Sequence, residues 1–214
     1  METAPQNQYG KLPKKLDFIK KWSRFSKYND FIDGVNIIPL KCPLETKFDE
    51  HLLESDVFHF GSLFEYSVSV NKPITDIVDL TFTNKYYNPK AENFELHKVS
   101  HHKFMIPGKK IPAPPLLENI LTKIDEILKN GGAVGVHCTH GINRTGFIIC
   151  SYLVRKLDWK PDEALEAFKK ARGHPVEHKD YIRAILSSKD QDEKKIKGFY
   201  STKKNKVIIY EKKT

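Results

Sequence analysis

The chain has 214 residues, 39% of them hydrophobic, with 13 Phe and 9 Tyr, which suffices for one domain with a sizeable core and argues against disorder throughout. Its apolar runs fall far short of the roughly 20 residues that cross a membrane. Three cysteines in a lysine-rich chain without a signal-peptide pattern argue against a disulfide framework and point to a reducing compartment, the nucleus or cytoplasm.

The net charge of +9 sits entirely on the flanks. Residues 1–30 carry seven Lys or Arg against three acids and residues 189–214 nine against four, whereas 31–188 hold 20 of each. Basic arms on a neutral body suit a polyanion gripped by its backbone, and equally suit solubilising tails. The expected division is a basic arm over 1–21, one domain over 22–188 and a Lys-rich tail over 189–214.

In chain order, Met1–Pro13 has no periodicity. Lys14–Lys27 alternates basic residues with Leu16, Phe18, Ile19, Trp22 and Phe25. This allows a short amphipathic helix with Trp22 in the core, or a wrapping arm whose aromatics stack on bases. Val35–Leu40 reads as a strand closed by Pro39 and Pro43, with Cys42 packed beside it. Helical fragments over Phe48–Ser69, interrupted at Gly61, precede a buried parallel strand over Ile74–Leu80 that brings Asp79 to its carboxyl end. A strand is expected over Glu95–Val99. Ser100–Pro115 is too rich in proline to be helical and carries no acid; indeed no Asp or Glu occurs from Leu96 through Leu117. Pro115–Lys129 is an amphipathic helix with Leu116, Ile120, Leu121, Ile124, Ile127 and Leu128 on its buried side, ended by Gly131-Gly132. A strand over Ala133–Val136 follows, then a core helix over Phe147–Leu157, with Cys150 as packing or as a redox partner to Cys138. Helices over Asp162–Ala171 and Tyr181–Leu186 close the body. Val207–Tyr210 reads as a stray strand or a docking segment. Alternating strands and helices imply an α/β domain with a central, mainly parallel sheet flanked by helices.

The segment Val136-His137-Cys138-Thr139-His140-Gly141-Ile142-Asn143-Arg144-Thr145-Gly146 puts a cysteine at a strand-to-helix turn. Unpaired N–H groups and the positive end of the helix dipole meet there, so anions bind and a thiol loses its proton more easily. Arg144 has the planar fork that grips a phosphate. Gly141 permits a tight loop, and the Thr145 hydroxyl is placed to stabilise a departing thiolate. A free cysteine is often mere packing. The neighbouring His137, Gly141 and Arg144-Thr145-Gly146 together favour the chemical reading. The nine histidines show no metal-ligand spacing, so no metal or other cofactor is expected.

This segment resembles the phosphate loop of the cysteine-dependent phosphatases. Its full form is similar to the RNA 5′-triphosphatase branch of that superfamily, which includes the PIR-type and baculovirus phosphatases and the capping-enzyme triphosphatase domain. Ile38–Leu44, Val78–Thr81 with Tyr86-Tyr87, Ile106–Gly108 with Pro114-Pro115, and Lys170–His174 extend the likeness over roughly residues 22–186. The resemblance implies a cysteine-phosphatase fold and a phosphocysteine mechanism. Cys138 is then the nucleophile. The backbone from Thr139 through His140, Gly141, Ile142 and Asn143 to Arg144 holds the phosphate, and His137, His140 and Asn143 shape the loop. In the family the Asp matching Asp79 lies near the phosphate loop, which makes it a candidate for loop support or acid chemistry, beside the plainer reading of a turn cap. Arg172 matches a basic residue that helps frame the site, and it counts with Lys103, Lys109, Lys110 and His178 among the candidate substrate and RNA contacts. His178 stands where relatives usually have Arg, which makes a contact there weaker and pH-dependent.

Protein-phosphatase relatives keep a general-acid Asp on the loop that here has none. Expelling an alkoxide or phenoxide needs such an acid, worth about 100- to 10,000-fold, whereas a phosphoanhydride leaves as a stable phosphate anion. Lys103, Lys109 and Lys110 on that loop fit a polyphosphate end. The expected activity is therefore removal of the γ- and then the β-phosphate from 5′-triphosphate RNA. RNA with a triphosphate or diphosphate end is the expected partner, with ribonucleoprotein or RNA-processing proteins beyond it, no membrane and a monomeric chain. The Lys-x-Asp-Gly motif of a guanylyltransferase does not occur, so the chain resembles the free-standing members. The rivals are a dual-specificity protein phosphatase, an inositol-phosphate phosphatase, disfavoured by the absence of Lys from Thr139–Asn143, and a module that binds triphosphate ends without cleaving them.

Overall fold

The computed structural model describes residues 14–188. The expectations for Met1–Pro13, the Lys-rich tail and Val207–Tyr210 lie outside the described residues. Strands β1 (Ile37–Lys41), β2 (Asp76–Asp79), β3 (Ser100–Lys103) and β4 (Val134–Cys138) form one parallel sheet in the order β1-β4-β2-β3. Helices α1 (Phe18–Trp22) and α2 (Phe60–Ser69) cover one face. Helices α3 (Pro114–Lys129), α4 (Asn143–Lys156), α5 (Pro161–Arg172) and α6 (Lys179–Leu186) cover the other. This is the expected sheet flanked by helices.

The central strand β4 is buried on both faces because both are covered. Val134, Val136 and Cys138 join the α3–α6 core, and Gly135 and His137 point to the α1–α2 side. A Cβ on Gly135 would stand 2.7 Å from Ile77 Cδ1, so its absence lets the second core close onto the sheet. On α3, Leu117, Ile120, Leu121, Ile124 and Ile127 are buried at i, i+3, i+4 spacing, with Leu116 and Leu128 on the margin of that stripe. Each such side chain contributes about 1.5–3 kcal/mol on full burial.

Several boundaries differ from the sequence reading. Pro39 lies inside β1, opposite Val136, which an edge strand tolerates because its outer side needs no ladder donor. Gly61 is the second residue of α2 and breaks nothing. The strand expected over Glu95–Val99 is a run of turns, and β3 begins at Ser100, so His101 and His102 belong to the sheet. Helix α4 begins at Asn143, one turn before Phe147. The packed body starts before residue 22, since Leu16 and Ile19 are buried with Trp22, whose Nε1–H donates to Cys42 O at 2.8 Å.

Register decides what meets at the carboxyl edge. Cys138 pairs with Lys41, His137 with Asp79, and Asp79 with Lys103. In open parallel sheets this edge is where sites form. Among the described residues no helix is long and apolar enough to cross a membrane.

Candidate active site

Cys138 ends β4, and residues 139–142 turn round the amino end of α4. Gly141 makes the turn possible. Its φ is +69°, and a Cβ there would lie 2.2 Å from Leu40 O. The loop is stitched to the edge strand by Cys42 N–H, which donates to Thr139 O at 3.2 Å.

The Cys138 side chain is buried. Burial is the strongest influence on its thiol and alone would raise the pKa. The Arg144 guanidinium, the Thr145 hydroxyl and the N–H groups of Thr145 and Gly141 outweigh it and bring the pKa below the ordinary thiol value. Thr145 Oγ1 is buried without a nitrogen or oxygen partner, which leaves it for the sulfur. Cys42 and Cys150 are also free and buried, but burial pushes both their thiols up, so they are packing residues, as expected.

Arg144 is held from three sides. Nη1 donates to Leu80 O at 3.0 Å and Ile106 O at 2.7 Å, and Nη2 to Thr139 Oγ1 at 3.1 Å. Tyr86 reaches the same threonine hydroxyl at 3.3 Å. These bonds fix the clamp, and through Ile106 they fix the acid-free loop. Asn143 Oδ1 accepts from the N–H groups of Glu177 at 3.0 Å and His178 at 2.7 Å, tying the loop to the entry of α6. His178 itself sits with its ring against Tyr181 and its Nδ1 3.8 Å from the Asp180 carboxylate. Tyr181 donates to Lys110 O at 2.9 Å, and the side chains of Lys109 and Lys110 stay exposed.

Beneath the loop lies a buried polar network. Asp79 Oδ1 accepts from Thr81 N–H at 2.8 Å and Thr81 Oγ1 at 2.7 Å, and Oδ2 from Tyr87 at 3.0 Å and Lys103 at 2.8 Å. Burial alone would raise the Asp79 pKa, but His137, His101 and Lys103 hold it well below the carboxylate range. Such a group has no proton to give at neutral pH. Asp79 therefore supports the loop and caps the turn at Thr81, and the acid role considered for it does not survive. Lys103 is likewise not free for substrate: it also donates to Thr83 O at 2.9 Å and to Thr81 Oγ1.

The tyrosine hydroxyl at the centre has one proton. With that proton on Asp79, its oxygen accepts from Nε2–H of His137 at 2.9 Å and of His101 at 3.0 Å. His137 is fully buried, and burial is what lowers its pKa to about 4, so its ring is neutral. Its ring ties the end of β4 to Tyr87 and, through it, to Asp79.

Arg172 also needs correcting. It is fully buried and cannot contact an RNA. Its Nε donates to Gly141 O at 3.1 Å, Nη1 to Ser26 Oγ at 2.8 Å, and Nη2 to Ser26 O at 2.8 Å and His140 O at 3.0 Å. It holds the outer wall of the phosphate loop against the segment after α1. His140 shapes the loop through that carbonyl, and its ring lies 5.3 Å from Phe25, tilted at 45°. Among the described residues no group of three His, Cys, Asp or Glu is placed to hold a metal ion.

Tyr87 had no role assigned from sequence, although it lies in a segment carrying the resemblance. Tyr86 and Tyr181 were missed in the same way. The three side chains approach the site from positions remote in sequence, and a tyrosine in an apolar stretch signals only packing.

The dual specificity phosphatase catalytic domain matches residues 63–191. The chain is 34% identical over 172 residues to a tyrosine-protein phosphatase of Autographa californica nuclear polyhedrosis virus, covering 79% of this chain and 99% of the viral protein. It is 34% identical over 170 residues to the RNA/RNP complex-1-interacting phosphatase of Rattus norvegicus, covering 78% of this chain and 51% of the rat protein. The chain thus spans about half the length of that relative. Among solved structures it superposes on PTPMT1 with a TM-score of 0.56 at 17% identity, over 82% of this chain and 99% of that one. It superposes on the active form of Tk-PTP with 0.55 at 23% identity, over 76% and 95%.

Proposed function

Since the chain belongs to the dual specificity phosphatase catalytic-domain family, we propose that it is a metal-independent RNA 5′-polyphosphatase. In this mechanism the Cys138 thiolate attacks the terminal phosphorus in line. The S–P bond forms as the bond from phosphorus to the bridging oxygen breaks, and the shortened RNA leaves as a phosphate anion. The N–H groups of Thr139–Arg144 and the Arg144 fork hold the three equatorial oxygens, supplying the positive charge for which other phosphoryl-transfer sites use metal ions. Water then attacks the phosphocysteine and releases inorganic phosphate and the thiolate, which the Thr145 hydroxyl stabilises. A second round removes the β-phosphate and leaves a monophosphate end.

The observation that carries this reading is the missing acid. No carboxylate occurs from Leu96 through Leu117, and Asp79, the carboxylate at the strand ends, is held in ionised form by His137, His101 and Lys103. An anhydride is the phosphate linkage that can do without a proton donor. The relatives named RNA/RNP complex-1-interacting phosphatase add support, since an RNA-associated protein is where such a substrate is met. The viral relative is named tyrosine-protein phosphatase, so protein phosphatase activity is the competing reading. Parallel assays on γ- and β-labelled triphosphate RNA, a phosphotyrosine peptide and an inositol phosphate separate them. Fast release of labelled phosphate from RNA, unaffected by EDTA, is the expected result.

A further inference from the structure

Two fully buried basic side chains are directed at one short, partly exposed segment, Arg172 as a cation and Lys41 with its pKa pushed down to about 7 by burial. Lys41 and Arg172 are 1% and 0% exposed. Lys41 Nζ donates to Phe25 O at 2.9 Å and packs 3.4 Å above the centre of the Trp22 ring, and Lys41 N–H donates to Lys27 O at 2.9 Å. Arg172 binds both Ser26 Oγ and Ser26 O. Burying a guanidinium or a lysine amine is costly and is tolerated where its hydrogen bonds fix a geometry. What is fixed here is Phe25, whose ring is only half-buried.

Phe25 lies with its ring centre 5.3 Å from that of His140, inside the phosphate loop, and 5.3 Å from that of His174, just after α5. All three rings are half-exposed. A residue needed only to fill a core would not be left at the surface and pinned on both sides. A half-open aromatic surface held rigid beside a catalytic loop is what a stacking site requires, since every base has a π-face and pre-ordering reduces the entropy lost on binding.

The surrounding charge indicates the ligand. Lys21 and Arg24 are exposed, form no ion pair among the described residues, and precede Phe25 on the same segment. Lys21 is near enough to His140 to help lower its pKa, after burial, the main cause. The His140 ring therefore stays neutral, as a stacking surface favours. In a triphosphate end two further phosphates separate the reacting phosphorus from the first nucleoside, which keeps the base outside a loop that holds the terminal phosphate.

We propose that Phe25, braced against His140 and His174, is the stacking platform for a base at the 5′ end of the RNA, with Lys21 and Arg24 contacting the phosphates that follow. The proposal rests on the RNA polyphosphatase reading and specifies how that site selects RNA over shorter polyphosphates. Basic and aromatic residues interleave over Lys14–Lys27; Trp22 and Ile19 go to the core, and Phe25 is left for the ligand.

The test compares turnover of 5′-triphosphate RNA with turnover of inorganic tripolyphosphate, which has no base. Phe25→Leu keeps the apolar bulk and removes the π-face, and a thermal melt checks that it folds. The ratio of kcat/KM for RNA to that for tripolyphosphate is expected to fall about ten-fold in Phe25→Leu, the size of one lost stacking contact, and to hold in Phe25→Trp. An unchanged ratio, or equal losses on both substrates, overturns the platform and assigns Phe25 to loop support. Loss confined to phosphotyrosine-peptide turnover also overturns it and assigns the surface to a protein ligand. If the wild-type chain turns over no RNA at all, the polyphosphatase reading fails first, and this inference with it.

Discussion

The Tyr87 hydroxyl lies 2.9 Å from His137 Nε2 and 3.0 Å from Asp79 Oδ2, so one oxygen joins the strand that ends in Cys138 to the strand beside it. Tyr87→Phe leaves a buried carboxylate and a buried imidazole each short of a partner. A loss of about 1–3 kcal/mol is expected in denaturant unfolding. Turnover should fall about ten-fold or more on every substrate, because the change acts on the loop and not on a ligand. A variant with wild-type stability would show that the hydroxyl carries no support.

Alkylation reads the thiol directly. Charge and N–H groups lower the Cys138 pKa, whereas burial raises those of Cys42 and Cys150. At pH 7 iodoacetate should therefore label the folded chain once, at Cys138, and the rate should fall as pH drops through the depressed thiol pKa. Cys138→Ser should label nowhere while folded. It should also lose turnover by orders of magnitude while still binding triphosphate ends.

Acid should destabilise the fold through His137. Its folded pKa is lowered to about 4 by burial, while the unfolded value is about 6.5. Between those values the unfolded chain binds the extra proton, so stability is full above about pH 6.5 and is lost as pH falls toward 4. For this fully buried ring the loss is on the order of 2–3 kcal/mol. His137→Asn should flatten that slope in unfolding curves taken from pH 7 to pH 4. An unchanged slope would place the acid sensitivity elsewhere.

Arg172 positions the loop, and its loss should look different from that of Phe25. Arg172→Ala strips donors from His140 O and Gly141 O, at roughly 1–3 kcal/mol for each carbonyl left unpaired. RNA and tripolyphosphate turnover should fall together. Arg172→Lys should rescue little, since an ammonium cannot span four acceptors on two segments.

The local chemistry was legible because it is written in one continuous segment. Strand, Cys138, Gly141, Arg144 and helix occupy eleven neighbouring positions, and each residue type has a reason to stand where it does. The support was not legible, because it is made across the sequence. Arg172 reaches back 146 residues to Ser26, and Lys103 reaches 24 to Asp79. A lysine on a loop near a phosphate site reads as a substrate contact until its carboxylate partner is placed. Strand β3 was misplaced for a related reason. Ser100–Lys103 is a polar edge strand whose histidines are satisfied by Asp76 at 2.7 Å and by Tyr87, and it carries less apolar content than the adjoining Glu95–Val99.

The central claim concerns the linkage cleaved. Triphosphate RNA carrying label in the γ- and β-positions is incubated in EDTA beside a phosphotyrosine peptide at equal concentration, with Cys138→Ser as control. Release of γ- and then β-phosphate, with a kcat/KM on RNA well above that on the peptide and none in the variant, is the predicted result. Faster turnover of the peptide than of the RNA would contradict it, and would mean that a proton donor serves this site from a position other than Asp79 or the acid-free loop.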